Sequence, residues 1–216
     1  MAFWTGWHVM RIIEGEADVA EGAAWLAAHH PCFAEILPQI TPLPLRLRPD
    51  GFGQLLGAIM GQQVSTASAA AIIAKLDAAG LLDEAAVAGA SEEELRGCGL
   101  SRQKIRYAHE LARAQIDYAA LRKTDSATVV KTLTAVPGIG AWTAEIYAMF
   151  SLGHADVFAP GDLALQIAAQ DMLGLEARPS EKELRVLAQD WSPWRSVAAR
   201  ALFAYYRVIK GREGLT

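Results

Sequence analysis

Apolar residues recur along this chain at helical spacing, and no stretch sustains the two-residue alternation of a half-buried strand. Residues 20–30 predict a first helix, followed by a proline-rich, irregular stretch from Pro38 to Pro49. Phe52, Leu55, Leu56, Ile59, Met60 and Gln63 share one helical face, which runs up to Gln62-Gln63 and stops there. Ser65 is placed to cap an alanine-rich helix that Gly80 ends. Ser91 with Glu94 spells a capping box, and the turn Cys98-Gly99-Leu100-Ser101 leads into a longer helix predicted from Arg102 to about Ala119. Two further helices, Ser126 to about Ala135 and Ala141 to Ser151, are joined by Val136-Pro137-Gly138-Ile139-Gly140. A loop from Gly153 to Gly161 feeds a helix that starts near Asp162 and ends at Gly174. Ser180 with Glu183 makes another capping box, Trp191 ends that helix, and Ser192-Pro193 starts the last one with proline in its first turn. The pattern predicts an all-α protein without internal repeats. Two helical lobes are expected: 52–151, carrying the hairpin at about 126–151, and a second in which 1–51 packs with 152–216.

Composition narrows the class. A chain of 216 residues, 52% hydrophobic and 20% charged, has ample material for buried cores. No apolar run reaches the roughly 20 residues needed to span a bilayer, and the opening Met-Ala-Phe-Trp-Thr-Gly-Trp-His lacks the basic start and long apolar stretch of a secretion signal. A cytoplasmic address is expected, close to the nucleoid if the chain is bacterial. Cys32 and Cys98 are too few for a four-cysteine zinc or iron–sulfur site and read as reduced structural thiols. His8, His29, His30, His109 and His154 are too scattered for a metal site, and His154 reads as an exposed loop residue, with a phosphate contact the other reading. No cofactor is expected.

Charge matters to the choice of partner. A formal net charge of -4 argues against a protein that coats nucleic acid by bulk electrostatics. Local distribution can still differ. Arg102, Arg106 and Arg113 fall on one helical face, and Arg195, Arg200, Arg207, Lys210 and Arg212 crowd the C-terminal end. Each group reads either as a solvated helix face or as a patch for phosphates.

The chemistry concentrates in Leu133-Thr-Ala-Val-Pro-Gly-Ile-Gly-Ala-Trp-Thr143 and in Ala159-Pro-Gly-Asp162. Two glycines flanking one apolar residue give a tight turn whose N–H groups can point outward together, and at a helix N-terminus such a turn is an anion nest. It also serves as an ordinary interhelical turn. Without a Cβ at Gly138 or Gly140 the backbone can approach a phosphate diester closely. Asp162 follows Pro160-Gly161 and opens a helix, so it reads as an N-cap, as a functional carboxylate, or as both. Asp156, in the same loop, reads as structural.

With these residues in view, the chain resembles the helix–hairpin–helix (HhH-GPD) DNA glycosylases of the 3-methyladenine glycosylase II branch. The resemblance rests on Ala58-Ile-Met-Gly-Gln-Gln-Val-Ser65, on Leu133 through Phe158 with Pro160-Gly-Asp-Leu163, on Trp191-Ser-Pro-Trp-Arg-Ser196, and more weakly on Gly99-Leu-Ser-Arg-Gln-Lys-Ile105. It implies a two-lobed helical fold with a DNA-binding cleft between the lobes, acting as a monomer on double-stranded DNA that contains alkylated bases. It implies that Asp162 stabilises the oxocarbenium-like state formed when a base leaves its sugar, and orients the attacking water. Relatives that also nick the strand carry a lysine where this chain has Trp142. An indole cannot form a Schiff base, so the resemblance implies a monofunctional enzyme that leaves an intact abasic site.

The remaining roles follow the same source. Val136, Pro137, Gly138, Ile139, Gly140 and Thr143 are implied to bind phosphate. The carbonyls of Thr134, Val136 and Ile139 are implied to hold a monovalent cation, a role that nothing in the side chains shows. Trp142 and Trp194 are implied as walls of the pocket for a flipped base, with core packing of the last helices the other reading for Trp194. Gln63, with Gln62, is implied as the wedge that fills the gap left by that base, or else caps a buried backbone end. Two rival functions share these residues. One is a glycosylase for deaminated or mismatched bases; the other is a non-catalytic helix–hairpin–helix module.

Overall fold

The computed structural model describes residues 10–213, and their regular backbone is helical apart from an isolated bridge between Ile12 and His154. The α-helices among the described residues are α1 (Glu16–His29), α2 (Pro31–Ile36), α3 (Phe52–Met60), α4 (Thr66–Ala78), α5 (Glu84–Gly89), α6 (Glu92–Gly97), α7 (Arg102–Arg113), α8 (Tyr118–Leu121), α9 (Ser126–Thr134), α10 (Ala141–Phe150), α11 (Leu163–Leu173), α12 (Glu181–Leu187) and α13 (Arg195–Glu213). None is long and apolar enough to cross a membrane. Contacts divide the chain into two units, one of 48–122 with 127–152, the other of the chain up to Leu47 with 123–126 and everything from Gly153 onward.

The first of these units is built around α3 and α7. Phe52, Leu55, Leu56, Ile59 and Met60 bury the apolar face of α3, and α7 answers with a stripe of Ile105, Ala108, Leu111 and Ala112. α4, α5 and α6 pack around that pair. Local chemistry fixes the ends: Ser65, Ser91 and Ser101 each accept a backbone N–H three residues on, and Gly80, at φ +69°, ends α4 in a left-handed turn. α7 stops at Arg113 rather than near Ala119, because Gln115 adopts φ +45° and Asp117 caps the separate α8 by accepting from Ala120 N–H at 2.9 Å. α10 is buried along Ala144, Tyr147, Ala148 and Met149.

In the second unit, α13 packs on α1 and α11. The closest approach of α1 is at Gly22, where a Cβ would come within 2.6 Å of both the Trp194 ring and Val197. Trp191 stacks edge-on against Phe33 and Phe158, with ring centroids 5.4 and 5.3 Å away. α13 starts at Arg195, past Pro193, and Tyr205 on it donates to the Asp171 carboxylate of α11 at 2.6 Å.

This packing corrects the expected basic C-terminus. Arg200 is wholly buried, its guanidinium donating to the Leu45 and Ser196 carbonyls at 3.0 Å, and burial lowers its pKa to about 10, with Arg46 adding to the effect. Arg195 pairs with Asp156. Arg200 is therefore not a surface cation, and the half-buried Arg195 has its charge matched. Arg102, Arg106 and Arg113 are exposed, but they line a groove of about 610 Å³ together with Glu92 and Glu110. His8 lies outside the described residues, as does the side chain of Arg212.

Candidate active site

The hairpin between α9 and α10 folds by its own hydrogen bonds. Val136 N–H donates to the Leu133 carbonyl and Ile139 N–H to that of Val136, both at 3.1 Å, while the Val136 and Ile139 side chains are buried. Gly138 sits at φ +95°, and a Cβ there would enter the ring of Tyr107 on α7. The need for glycine at Gly138 is therefore internal. Gly140 differs: its φ of -87° suits any residue, and the space around a Cβ is open for 4 Å.

Gly140 is also the N-cap of α10 and offers no side chain to satisfy the helix's first N–H groups. α4, α6, α7, α11 and α12 all have a side-chain cap at that place. The exposed run Gly140-Ala141-Trp142 thus places the positive end of the helix dipole at the solvent. An anion fits there. Thr143, by contrast, is buried one residue further in.

Trp142 is 48% exposed, an unusual state for the largest apolar side chain. It borders a pocket of about 490 Å³ within the same unit, whose other walls include Leu55, Ile146 and Tyr147, with Gln54, Thr66 and Arg48 as polar members. No lysine lines it. The Tyr147 hydroxyl accepts from Gly51 N–H at 2.7 Å, and burial pushes its pKa up to about 12, so the phenol stays neutral. Arg48 lies over the Phe150 ring, 5.6 Å from its centroid.

The two glutamines after α3 part company. Gln62 is half-buried and its Nε2 donates to the Gly138 carbonyl at 2.8 Å, which fulfils the backbone-capping alternative and ties it to the hairpin. Gln63 is exposed at φ +57°, in the left-handed region that non-glycine residues seldom adopt. Tyr107 and Lys104, both on α7, join this neighbourhood. Lys104 was hidden by its type, though it falls on the apolar stripe of α7 with Ala108 and Leu111, a placement that marks it.

In the other unit, Asp162 caps α11. Its Oδ1 accepts from Ala164 N–H at 2.9 Å and Leu165 N–H at 3.3 Å, and the side chain is half-buried. The cap reading is met, and the two N–H groups hold the carboxylate in one orientation. The loop leading to it is held throughout its length. Gly153 O accepts from Ile13 N–H at 2.6 Å, Ala155 N–H donates to Arg11 O at 3.0 Å, and Ala155 O accepts from Ser196 N–H at 2.9 Å. Asp156 accepts from Ser192 Oγ at 2.8 Å and from Arg195, a structural role. His154 is buried at 1% exposure, its Nδ1 3.0 Å from Ser126 Oγ, and not an exposed loop residue.

Trp194 is only 2% exposed, with Arg11 stacked 4.3 Å from its ring centroid and α1 passing at Gly22. It is a core residue, not a pocket wall, because no ring face is left for a base. Among the described residues no three His, Cys, Asp or Glu side chains cluster as a metal site. At the hairpin, the Val136 carbonyl already accepts from Ile139 N–H.

Comparison with known proteins identifies the family of the chain. The family model described as HhH-GPD superfamily base excision DNA repair protein matches residues 56–193. The crystal structure of a DNA-3-methyladenine glycosidase from Bacillus halodurans is similar at a TM-score of 0.79 and 28% identity, covering 93% of this chain and 94% of that one. Alkylbase DNA glycosidase-like protein mag2 of Schizosaccharomyces pombe is 25% identical, over 77% of this chain and 84% of its own length. DNA-3-methyladenine glycosylase 2 of Escherichia coli is 31% identical over 69% of this chain, which spans 55% of that protein's length. The all-α fold class and the family resemblance are both borne out.

Proposed function

The chain belongs to the HhH-GPD superfamily of base excision DNA repair proteins, and from that premise we propose that it is a monofunctional DNA glycosylase that releases alkylated purines, 3-methyladenine and 7-methylguanine, from double-stranded DNA. The observation that carries this reading is Trp142, a half-exposed indole beside a pocket in the position that strand-nicking relatives fill with lysine. The pocket accommodates a base that has left the duplex stack, and the indole face replaces part of the stacking the base loses. The family names of the similar proteins support the same chemistry.

The steps assign one task to each group. The capless start of α10 holds the DNA backbone through N–H groups at Gly140 and beyond. Gln63 fills the space of the displaced base. The Asp162 carboxylate opposes the positive charge that grows on the sugar as the glycosidic C–N bond breaks and its electron pair leaves with the base. Water then adds to the sugar carbon and loses a proton, leaving an abasic site. Alkylation at N3 or N7 places a positive charge on the purine and weakens the bond, so the enzyme needs to supply less stabilisation than for a neutral base.

Arg48 favours a second reading. A guanidinium at the same pocket repels a cationic base, and would suit a neutral deaminated or mismatched one. Liquid chromatography of bases freed from methylated DNA and from duplexes with uracil, hypoxanthine or a thymine mismatch separates the two. Methylpurines are expected as the main products. Release of the neutral bases without methylpurines establishes the second reading instead.

A further inference from the structure

A buried ammonium stands where α3 gives way to the segment that carries Gln63. Lys104 is 8% exposed, and its Nζ donates to the carbonyl of Met60, the last residue of α3, at 2.7 Å. Burial holds its pKa below the ordinary lysine value. A lysine at a core position costs desolvation, and an apolar residue of the same length would fill the stripe on α7 more cheaply. The charge therefore has a local purpose. A helix C-terminus carries orphan carbonyls and the negative end of the dipole, and an ammonium is the group that best satisfies both.

Three residues beyond Met60, Gln63 stands exposed in the left-handed region, a strained conformation that persists only when its surroundings impose it. Two anchors fix the segment that leads into it. Lys104 anchors the segment at Met60 before the strained residue, and Gln62 anchors it by donating to the Gly138 carbonyl of the hairpin at 2.8 Å. Tyr107, one turn along α7 from Lys104, packs on Gly138 itself and accepts from Gln103 at 2.7 Å. One helix face thus supports the wedge segment and the hairpin together.

We propose that Lys104 and Gln62 are positioning residues that lock the Gln63 segment to the hairpin, so that gripping the DNA backbone and displacing the base are a single mechanical event. The inference rests on the glycosylase reading, with Gln63 as wedge. Lys104 lies away from the Trp142 pocket, and Gln62, which lines that pocket, acts through its bond to the hairpin. Both act by holding Gln63 in its strained conformation before DNA arrives, which removes the ordering cost from the flipping step.

Lys104→Met and Gln62→Met preserve side-chain length and remove one anchor each. The full-length variants are compared with wild type on a fully paired duplex bearing the methylated purine and on the same lesion in an unpaired bulge, where flipping needs no wedge. Single-turnover release from the paired duplex should fall about tenfold in both variants, the scale of one charged or buried hydrogen bond, while release from the bulge by Lys104→Met stays within about twofold of wild type. Fluorescence of 2-aminopurine placed beside the lesion reads unstacking without reference to base release, and should fall in both variants. Lys104→Arg, which keeps the cation, should recover part of the paired-duplex rate. For Lys104→Met, equal losses on both substrates, or no loss on the paired one, overturn the proposal. If the wild type frees no methylpurine at all, the substrate reading fails separately, and the 2-aminopurine signal alone decides the positioning role: a signal equal in variant and wild type overturns it.

Discussion

At Asp162, capping and catalysis make different demands on one carboxylate, and substitution can separate them. Asparagine caps helices as well as aspartate does, so Asp162→Asn should leave thermal unfolding within about 0.5 kcal/mol of wild type, keeping the bonds to Ala164 and Leu165 N–H. It deletes the negative charge, and single-turnover base release should fall about a hundredfold or more. DNA affinity should hardly change. A variant with a near-normal rate would place the chemistry elsewhere, and Asp156 is poorly suited to take over because Ser192 and Arg195 already engage its carboxylate. Trp142 carries a second prediction at this scale. With indole in place of an amine, the product strand should stay intact until alkali breaks it, and borohydride should trap no covalent adduct; a trapped adduct in the wild-type protein would require a lysine that the pocket does not contain.

The helices show which features local sequence can announce. Capping boxes at Ser91 with Glu94 and Ser180 with Glu183 involve residues three apart, so their side chains meet whatever the rest of the chain does. The hairpin glycines and the helix that Asp162 opens were legible for the same reason. α2 and α5 escaped notice because six-residue helices of Pro-Cys-Phe-Ala-Glu-Ile and Glu-Ala-Ala-Val-Ala-Gly hold too few apolar positions to show a period. The burial of Trp194, Arg200 and His154, and the bonds from Gln62 to Gly138 and Lys104 to Met60, depend on partners far along the chain, and no local pattern records them. The two hairpin glycines should respond differently in consequence. Gly140→Val should fold normally, its backbone conformation being open to any residue, yet lose about tenfold in affinity for plain duplex as its methyls occupy the approach to the α10 N–H groups. Gly138→Ala should cost about 1–3 kcal/mol of stability through its positive φ, with the clash against Tyr107 adding to it. Denaturant titration and fluorescence anisotropy distinguish the two outcomes, and equal effects from both would contradict the division. Gly22→Ala probes the other unit: its Cβ has no room against Trp194 and Val197, and overpacking of this kind lowers stability by about 1–3 kcal/mol.

For the molecule as a whole, charge decides how DNA can be held. With 20 lysines and arginines against 24 aspartates and glutamates, the chain is acidic, and the packing buries Arg200 and pairs the half-buried Arg195 with Asp156. Arg102, Arg106 and Arg113 share their groove with two glutamates. A protein of this kind cannot bind by laying a carpet of cations on the duplex, and the N–H groups at the start of α10 are the alternative that the hairpin offers. The difference is measurable. Each phosphate neutralised by a lysine or arginine releases condensed counterions and steepens the fall of log affinity with log salt by about 0.9, whereas a neutral amide contact releases almost none. Binding to plain duplex should therefore fall with a slope no steeper than about -3, far from the about -10 of a strongly basic DNA-binding interface. Fluorescence anisotropy across a series of potassium chloride concentrations gives the slope directly. A value steeper than about -6 would mean that a cationic surface carries the affinity, and Gly140→Val would then lose its expected effect on binding, because the amides it blocks would contribute little.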